Sequence, residues 1–497
     1  MSGNVSSFKS VRKWGWLAIS LTLLSQLVLS ACGDSTATTA APASTTAAAV
    51  ATTAAPASTT AAAGTATTAA AAIATTAAVA SGPVTTISWW CWNCGPSVPG
   101  VTDQNAPSRA VVEFNKTHPN IKVDMKFFQY TDYVSALKLA MASGTGPDVI
   151  NLQAGSLVKE YGEFTEDLAP YATKTWGANW KDRYYPLGFQ ATQLAGSNKV
   201  TSLPFFVSAA GQLWYNKSIF DKNGLTPPKT LDEWVKVSQA LQAKGITPFV
   251  QGAKDTWVDY DTYIAIANNI APGKIWDAEA GKIAWTDPDL IKAMDIWGQL
   301  FKNGIMQKGA LGVAQYPDAS DLFTQGKAGM IMMGMWQDSI MTKTSMADAQ
   351  KKYGFTDTFE MLPVPFPDVT NSGKVNKLYG NADVLLAVNK DGKNKAAAWE
   401  FLSWAGGTDM QKLVAASLSI PAIKGIEIPS DDIITDAQKA NMKQQLVDIQ
   451  NVTYKREFLY PDIKTAMGDA LQNVASGQQN SQQALEAVEK ISKIAQR

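Results

Sequence analysis

The side chains able to act as soft ligands or strong nucleophiles are few. The chain carries three cysteines and one histidine among 497 residues. Cys91 and Cys94 stand in "SWWCWNCGPSVPG", Ser88 to Gly100, a C-x-x-C interleaved with Trp89, Trp90 and Trp92. This spacing can be half of a zinc site, a redox dithiol or a local structural disulfide. Cys32 lies far away at the end of an apolar leader, so Cys91, Cys94 and His118 remain, one ligand short of a structural zinc site. A redox dithiol needs its first thiol at a helix N-terminus, which lowers the thiol pKa. Here "GPSVPGVTDQNAP" follows, and no helix can start for about a dozen residues. Free thiols and a disulfide remain as readings, and export of the chain favours a Cys91–Cys94 disulfide. No metal and no cofactor are expected. His118, followed by Pro119 on a turn, offers no good base for a serine triad. The tryptophans, 16 in all, are the stronger clue.

The elements that position these residues begin after a processed front end. Lys9, Arg12 and Lys13 precede "WGWLAISLTLLSQLVL", 16 mostly apolar residues, too short for a convincing membrane span. "LSAC" follows and resembles a bacterial lipobox, with residues 1–31 as signal peptide and Cys32 as the lipidated first residue. An ordinary signal peptide in which Cys32 has no role is the alternative. Residues 35–80 are nearly all Ala and Thr, with "TTAAPASTTAAA" at 38–49 and again at 52–63. Such a segment has nothing to bury, so residues 32–83 read as a tether spanning roughly 40 Å. Residues 84–497 are too long for one simple core and suit two lobes. The balance of 43 basic and 43 acidic residues argues against nucleic acid and against an anionic membrane surface as partner.

Within residues 84–497, "VTTISWWCW" reads as a strand and "RAVVEFNKTHPN" as a helix ended by Pro119. "IKVDMKFFQ" reads as a strand, "DYVSALKLAMASG" as a helix and "DVINLQ" as a third strand. Strands alternating with helices imply a parallel sheet with crossover helices. In "DPDLIKAMDIWGQLFKNG", Asp287 caps, Pro288 takes the first turn and Gly304 stops the helix, with Leu290, Met294, Trp297 and Phe301 on one face. "TLDEW" is a capping box of Thr230 and Glu233. "NSQQALEAVEKISKI" is an amphipathic helix near the C-terminus.

Five blocks now carry a resemblance. "SGTGPDVINL" is similar to a G-x-P-D-hydrophobic segment, and "GQLWYNKSIFDKNGLTPPKTLDEW" to a Y-N-K…F…G…P-x-T-W-D-E block, with Leu231 in place of the usual Trp. "FTQGKAGMIMMGMW" resembles F-x-x-G-K-A-A-M…G-x-W, with Gly329 where Ala is typical. "YGNADVLLAVNKDGKNKAAAWEFLSW" and "ASGQQNSQQAL" complete the set, in order over roughly residues 87–490. By these the chain resembles the family 1 extracellular solute-binding proteins, the maltose-binding-protein-like components of ABC sugar importers. The resemblance implies a two-lobed α/β periplasmic-binding-protein-like fold of type II, with a multi-crossing hinge and the ligand between the lobes. Lobe one would cover about 84–209 and 383–440, lobe two about 210–382 and 441–497. The crossings would fall near Ser208–Gly211, Gly380–Val384 and 435–450. The implied protein is a monomer, lipid-anchored outside the cell membrane, that captures a carbohydrate and hands it to ABC permease subunits.

A sugar presents apolar C–H faces and a rim of hydroxyls, so aromatic rings and carboxylates or amides suit it. Trp336 occupies the family's G-x-W position, whose ring stacks on sugar in the maltose binder. Tyr316, seven residues before Phe323, matches a ligand-contacting Tyr there. Asn381 and Asp383 sit where the second crossing meets the cleft, and Asp255 and Trp257 follow a strand end. Trp92 and Asn93 terminate the first strand, Gln153 the third, and Ser208 lies at the first crossing. Gly155 and Ser156 replace charged contacts of the maltose binder, which argues against a maltose-like specificity. This set holds no Lys or Arg, which disfavours a phosphodiester. An exported glycoside hydrolase with paired carboxylates and a binder of a non-sugar solute such as a polyol are the competing readings.

Overall fold

A computed structural model describes residues 83–95, 105–194 and 196–495. The expected signal peptide, Cys32 and nearly all of the Ala/Thr segment read as a tether lie outside the described residues.

Two sheets organise the fold. The first has six strands: β1 Thr85–Cys91, β2 Ile121–Phe127, β3 Val149–Leu152, β4 Leu203–Ala210, β9 Tyr379–Val388 and β10 Ile420–Pro421. The second has four: β5 Gln212–Asn216, β6 Thr247–Val250, β7 Ala328–Met333 and β8 Met361–Pro365. The spatial orders are β10-β4-β9-β3-β1-β2 and β6-β7-β5-β8. The expectation of a parallel sheet holds only in part. β2, β1 and β3 run parallel, but β9 is antiparallel to both β3 and β4. β9 enters the first sheet from the other lobe rather than through a crossover helix on the same sheet, and this reverses its direction. All residues of β4 and β9 are buried, the pattern of strands covered on both faces.

Local signals act as their chemistry requires. The helix Pro288–Lys302 has Asp287 accepting the Asp289 N–H at 3.0 Å, and it buries Leu290, Met294 and Trp297. The helix Leu231–Gln242 keeps only half of its expected capping box. Thr230 accepts the Glu233 N–H, while the Glu233 carboxylate accepts the N–H of Lys229 at 2.7 Å.

The chain first passes between sheets at Gly211, which joins β4 to β5 with φ +95°. A side chain there would also meet the Tyr379 ring at 3.0 Å, so glycine fits on both counts. The return runs over residues 366–378 and joins the first sheet at Tyr379, opposite Ala210. The third passage comes earlier than residues 435–450. Ile433 already pairs with Thr342, and Met442 of the helix Asp436–Asp448 packs in one cluster with Met341 and Met361. This helix therefore sits on the second lobe, because its apolar face finds β8 and not the first sheet. The chain then comes back to the hinge, where Gly380 donates its N–H to the Tyr454 carbonyl at 2.9 Å. Separate cores serve the two lobes, and a third cluster mixes Val207 and Ile420 of the first sheet with Trp214 and Ile331 of the second.

Candidate ligand cleft

Between the lobes lies a cavity of about 520 Å³, within the range of small-molecule sites. Eight of the ten sequence-derived candidates line it: Trp92, Asn93, Gln153, Asp255, Trp257, Tyr316, Trp336 and Asp383. Asn381 instead lines a separate cavity behind the hinge, and Ser208 lines neither. Asn381 and Asp383 share a face of β9, but two residues along a strand is about 7 Å. That step places Asn381 behind the segment that carries Arg456.

The second lobe contributes an aromatic wall. Trp336 follows β7 after Gly334, and a Cβ on Gly334 would lie 2.2 Å from the indole of Trp336 and 2.5 Å from the Ala209 carbonyl. Gly334 thus lets the ring fold back against the hinge, a physical reason for the G-x-W spacing. Trp257 sits in the first turn of the helix Thr256–Ile270, and its ring meets Trp336 at 6.2 Å and 64°. Tyr316 lies nearly parallel to Trp257, at 6.1 Å and 11°, and remains 37% exposed. Asp255 accepts the Gln315 N–H at 2.7 Å, which ties the Trp257 turn to the Tyr316 loop. Burial pushes the Asp255 carboxyl above its ordinary value.

The first lobe supplies the opposite wall. Trp89 points into the core and is fully buried, whereas Trp92 reaches the cleft with its ring edge against Tyr130 and Tyr133. The turn between them is fixed twice. Cys91 and Cys94 form a disulfide with their Cα atoms 5.7 Å apart. Asn151 donates to Asn93 at 2.7 Å while accepting from the Trp89 indole at 2.8 Å. The cysteines are therefore structural supports for a cleft residue. His118 stacks on Phe114 at 4.1 Å, away from the cleft.

The floor is ionic, and its centre was absent from the sequence-derived set. Arg456 is buried, with its guanidinium 4.4 Å from the Trp336 ring centroid. It donates to Asp261 at 2.9 and 2.8 Å and to Asp383 at 2.6 Å. Asp383 also accepts from Gln153 at 3.1 Å, and Gln153 accepts from the Tyr130 hydroxyl at 2.7 Å. Asp261 belongs to the second lobe and Asp383 to the first, so Arg456 bridges them. Burial pushes Asp261 up to about 6 despite Arg456, and it raises Asp383 as well. Burial pulls Arg456 down, but Asp261, Asp383 and Glu457 outweigh it and hold the guanidinium charged. Lys254 at the rim also lines the cleft. A cation-free cleft, expected from the sequence, is thus corrected, although Arg456 is already neutralised by two carboxylates.

The comparisons with known proteins agree with this geometry. The family described as bacterial extracellular solute-binding protein matches residues 99–412. The chain belongs to that family. This solute-binding protein is 28% identical over 232 residues to an uncharacterized ABC transporter extracellular-binding protein of Pyrococcus horikoshii, covering 45% of this chain and 51% of the relative. It is 26% identical over 327 residues to the multiple sugar-binding protein of Streptococcus mutans, covering 64% of this chain and 72% of the relative. Among solved structures, a chitin oligosaccharide binding protein superposes with a TM-score of 0.69 at 20% identity, over 84% of this chain and all of the other. That likeness confirms the two-lobed fold. Members of the family are binding proteins rather than enzymes and work outside the cytoplasm. Among the described residues of this solute-binding protein, no helix is long and apolar enough to cross a membrane. Trp92, Asn93 and Arg456 fall outside the matched segment, so the cleft extends beyond what the family match covers.

Proposed function

We propose that this protein captures a neutral carbohydrate between its lobes and delivers it to the membrane permease of an ABC importer. The carrying observation is that the partly buried rings of Trp336, Trp257 and Trp92 line the cleft above a floor whose one guanidinium is already held by two carboxylates. Aromatic faces suit the C–H surface of a sugar ring. A floor with two carboxylates to one guanidinium offers polar atoms to hydroxyls and repels rather than attracts an anion, which disfavours phosphodiesters and acidic sugars. The name of the Streptococcus mutans relative, a multiple sugar-binding protein, supports the class. In this reading the ligand contacts are Trp336, Trp257, Tyr316, Asp255, Trp92, Asn93, Gln153 and Asp383, with Arg456 added. Asp383 is held by Arg456 and is poorly placed to serve as one of the two free carboxylates a glycosidase needs. The protein acts as a monomer, anchored through Cys32 to the outer face of the membrane.

A thermal-shift screen against mono- and oligosaccharides tests the class. A sugar at 100 times its Kd stabilises the fold by about 2.7 kcal/mol. A panel that leaves the melting temperature unmoved, or a sugar that the protein hydrolyses, contradicts the proposal. Cys32→Ser should release the protein or leave it unprocessed; a normally processed mutant that stays in the membrane fraction would remove the anchor from this account.

A further inference from the structure

Behind the cleft floor lies a second cavity of about 460 Å³, the size of an ordinary small-molecule pocket. The two cavities stand back to back. Gln153, Asp383 and Arg456 face the cleft, while Ala154 and Glu457, next to two of them in the chain, and Asn381, two residues before Asp383, line the second cavity. The wall between them is filled by the Gln153–Asp383–Arg456 contacts, so an occupant of one does not reach the other. Lobe one contributes Ala154, Gly155 and Ala191 to the second cavity, and lobe two contributes Trp276.

Its polar groups are unusual in being unmatched. Asn381 is 8% exposed, and its side-chain carbonyl oxygen is buried without a hydrogen-bond partner. Beside it but outside the lining, the cross-strand neighbour Ser208 on β4 also has its hydroxyl buried without a partner. The indole N–H of Trp276 is a third such group. Buried polar groups are nearly always paired, and leaving one unpaired costs stability. A half-turn of the Asn381 amide exchanges its donor and acceptor ends, so it can serve a hydroxyl in either role. Two cations near the cavity, by contrast, are matched. Lys455 pairs with Glu279, and Glu457 pairs with Lys464 at 2.9 Å. Lys159 lies exposed at the rim, its ammonium 4.7 Å from the Tyr460 ring centroid; deeper in, a charged solute gains no unpaired partner, whereas a neutral hydroxyl-bearing one does.

We propose that this hinge-side cavity is a second solute site, distinct from the cleft, for a neutral polyhydroxylated molecule of sugar-ring size. Asn381 is its hydrogen-bonding centre and Trp276 its apolar side. The test is isothermal titration of the full chain with xylose, glucose and N-acetylglucosamine, each alone. The same titrations follow on Asn381→Leu, on Ala191→Trp, which fills the cavity from its half-buried rim, and on Trp336→Ala. At least one probe should give binding that survives Trp336→Ala and is weakened about ten-fold or more by both Asn381→Leu and Ala191→Trp. If Asn381→Leu does not fold, Ala191→Trp decides. Binding abolished by Trp336→Ala for every probe, or unchanged by filling the cavity, overturns the proposal. A cleft that binds none of these probes leaves the second-site signal intact, so the two sites fail separately.

Discussion

The wall and the floor of the cleft are built on opposite principles. The wall of Trp257, Tyr316 and Trp336 lines the cleft with rings that are only partly buried, Trp257 and Trp336 backed by the cores and Trp257 in ring contact with both of the others. The floor buries three charged groups, Asp261, Asp383 and Arg456, with both carboxylates paired to the one guanidinium. An open aromatic face gains free energy when a ligand covers it. A buried ion network gains little from a ligand and loses much if one member is removed. The wall is therefore suited to affinity, and the floor to holding the two lobes in register.

Removing the floor's centre should have the largest effect. Arg456→Met leaves two carboxylates buried without a cation, and the folded state should lose about 3–5 kcal/mol, read by urea denaturation. A loss no greater than that of an exposed ion pair would mean the floor does not hold the lobes. The charge state of the floor gives the next effect. A carboxylate raised in the folded state contributes stability that is fully present below its unfolded pKa, near 4. That contribution is lost as pH rises through about 6, the value to which burial pushes Asp261. Asp383, Asp259 and Asp338 are shifted in the same direction, also by burial. Between about pH 6 and 4 the floor should therefore gain stability on acidification, on the order of 3 kcal/mol for Asp261. Asp261→Asn should flatten that part of the profile of melting temperature against pH. An unaltered profile in the mutant would assign the slope to other groups. The smallest effect concerns the support of the opposite wall. Opening the Cys91–Cys94 link with a double Ser substitution should cost about 2 kcal/mol for so short a loop, measured by thermal unfolding. A mutant as stable as the parent would leave the Asn151 contacts as the main support of the Trp92 turn.

The contrast also explains what could be read from sequence. Trp336 was legible because Gly334 must make room for its ring, and that constraint leaves a local G-x-W pattern. Trp92 was legible from strand alternation, which sends Trp89 inward and the chain end outward. Arg456 was not legible. It is one of five arginines, and its meaning comes from Asp261 and Asp383, 195 and 73 positions away. No spacing rule links groups so distant. That Asn381 lines the second cavity rather than the cleft was hidden for a related reason, since alternation gives the face of a strand but not the point along it where a crossing segment divides one cavity from another. The order of β9 in the sheet was hidden likewise, because local periodicity does not distinguish a strand arriving from the other lobe.

The central claim is that the aromatic wall supplies the binding energy. Its most direct test is calorimetric titration of Trp336→Ala with whichever sugar the thermal screen selects, alongside the mutant's melting temperature without ligand. The account predicts an affinity loss of about 2–4 kcal/mol, roughly 30- to 1,000-fold, with the unliganded melting temperature close to that of the parent. Near-normal affinity with a sharply lowered melting temperature would make Trp336 a core residue and contradict the claim.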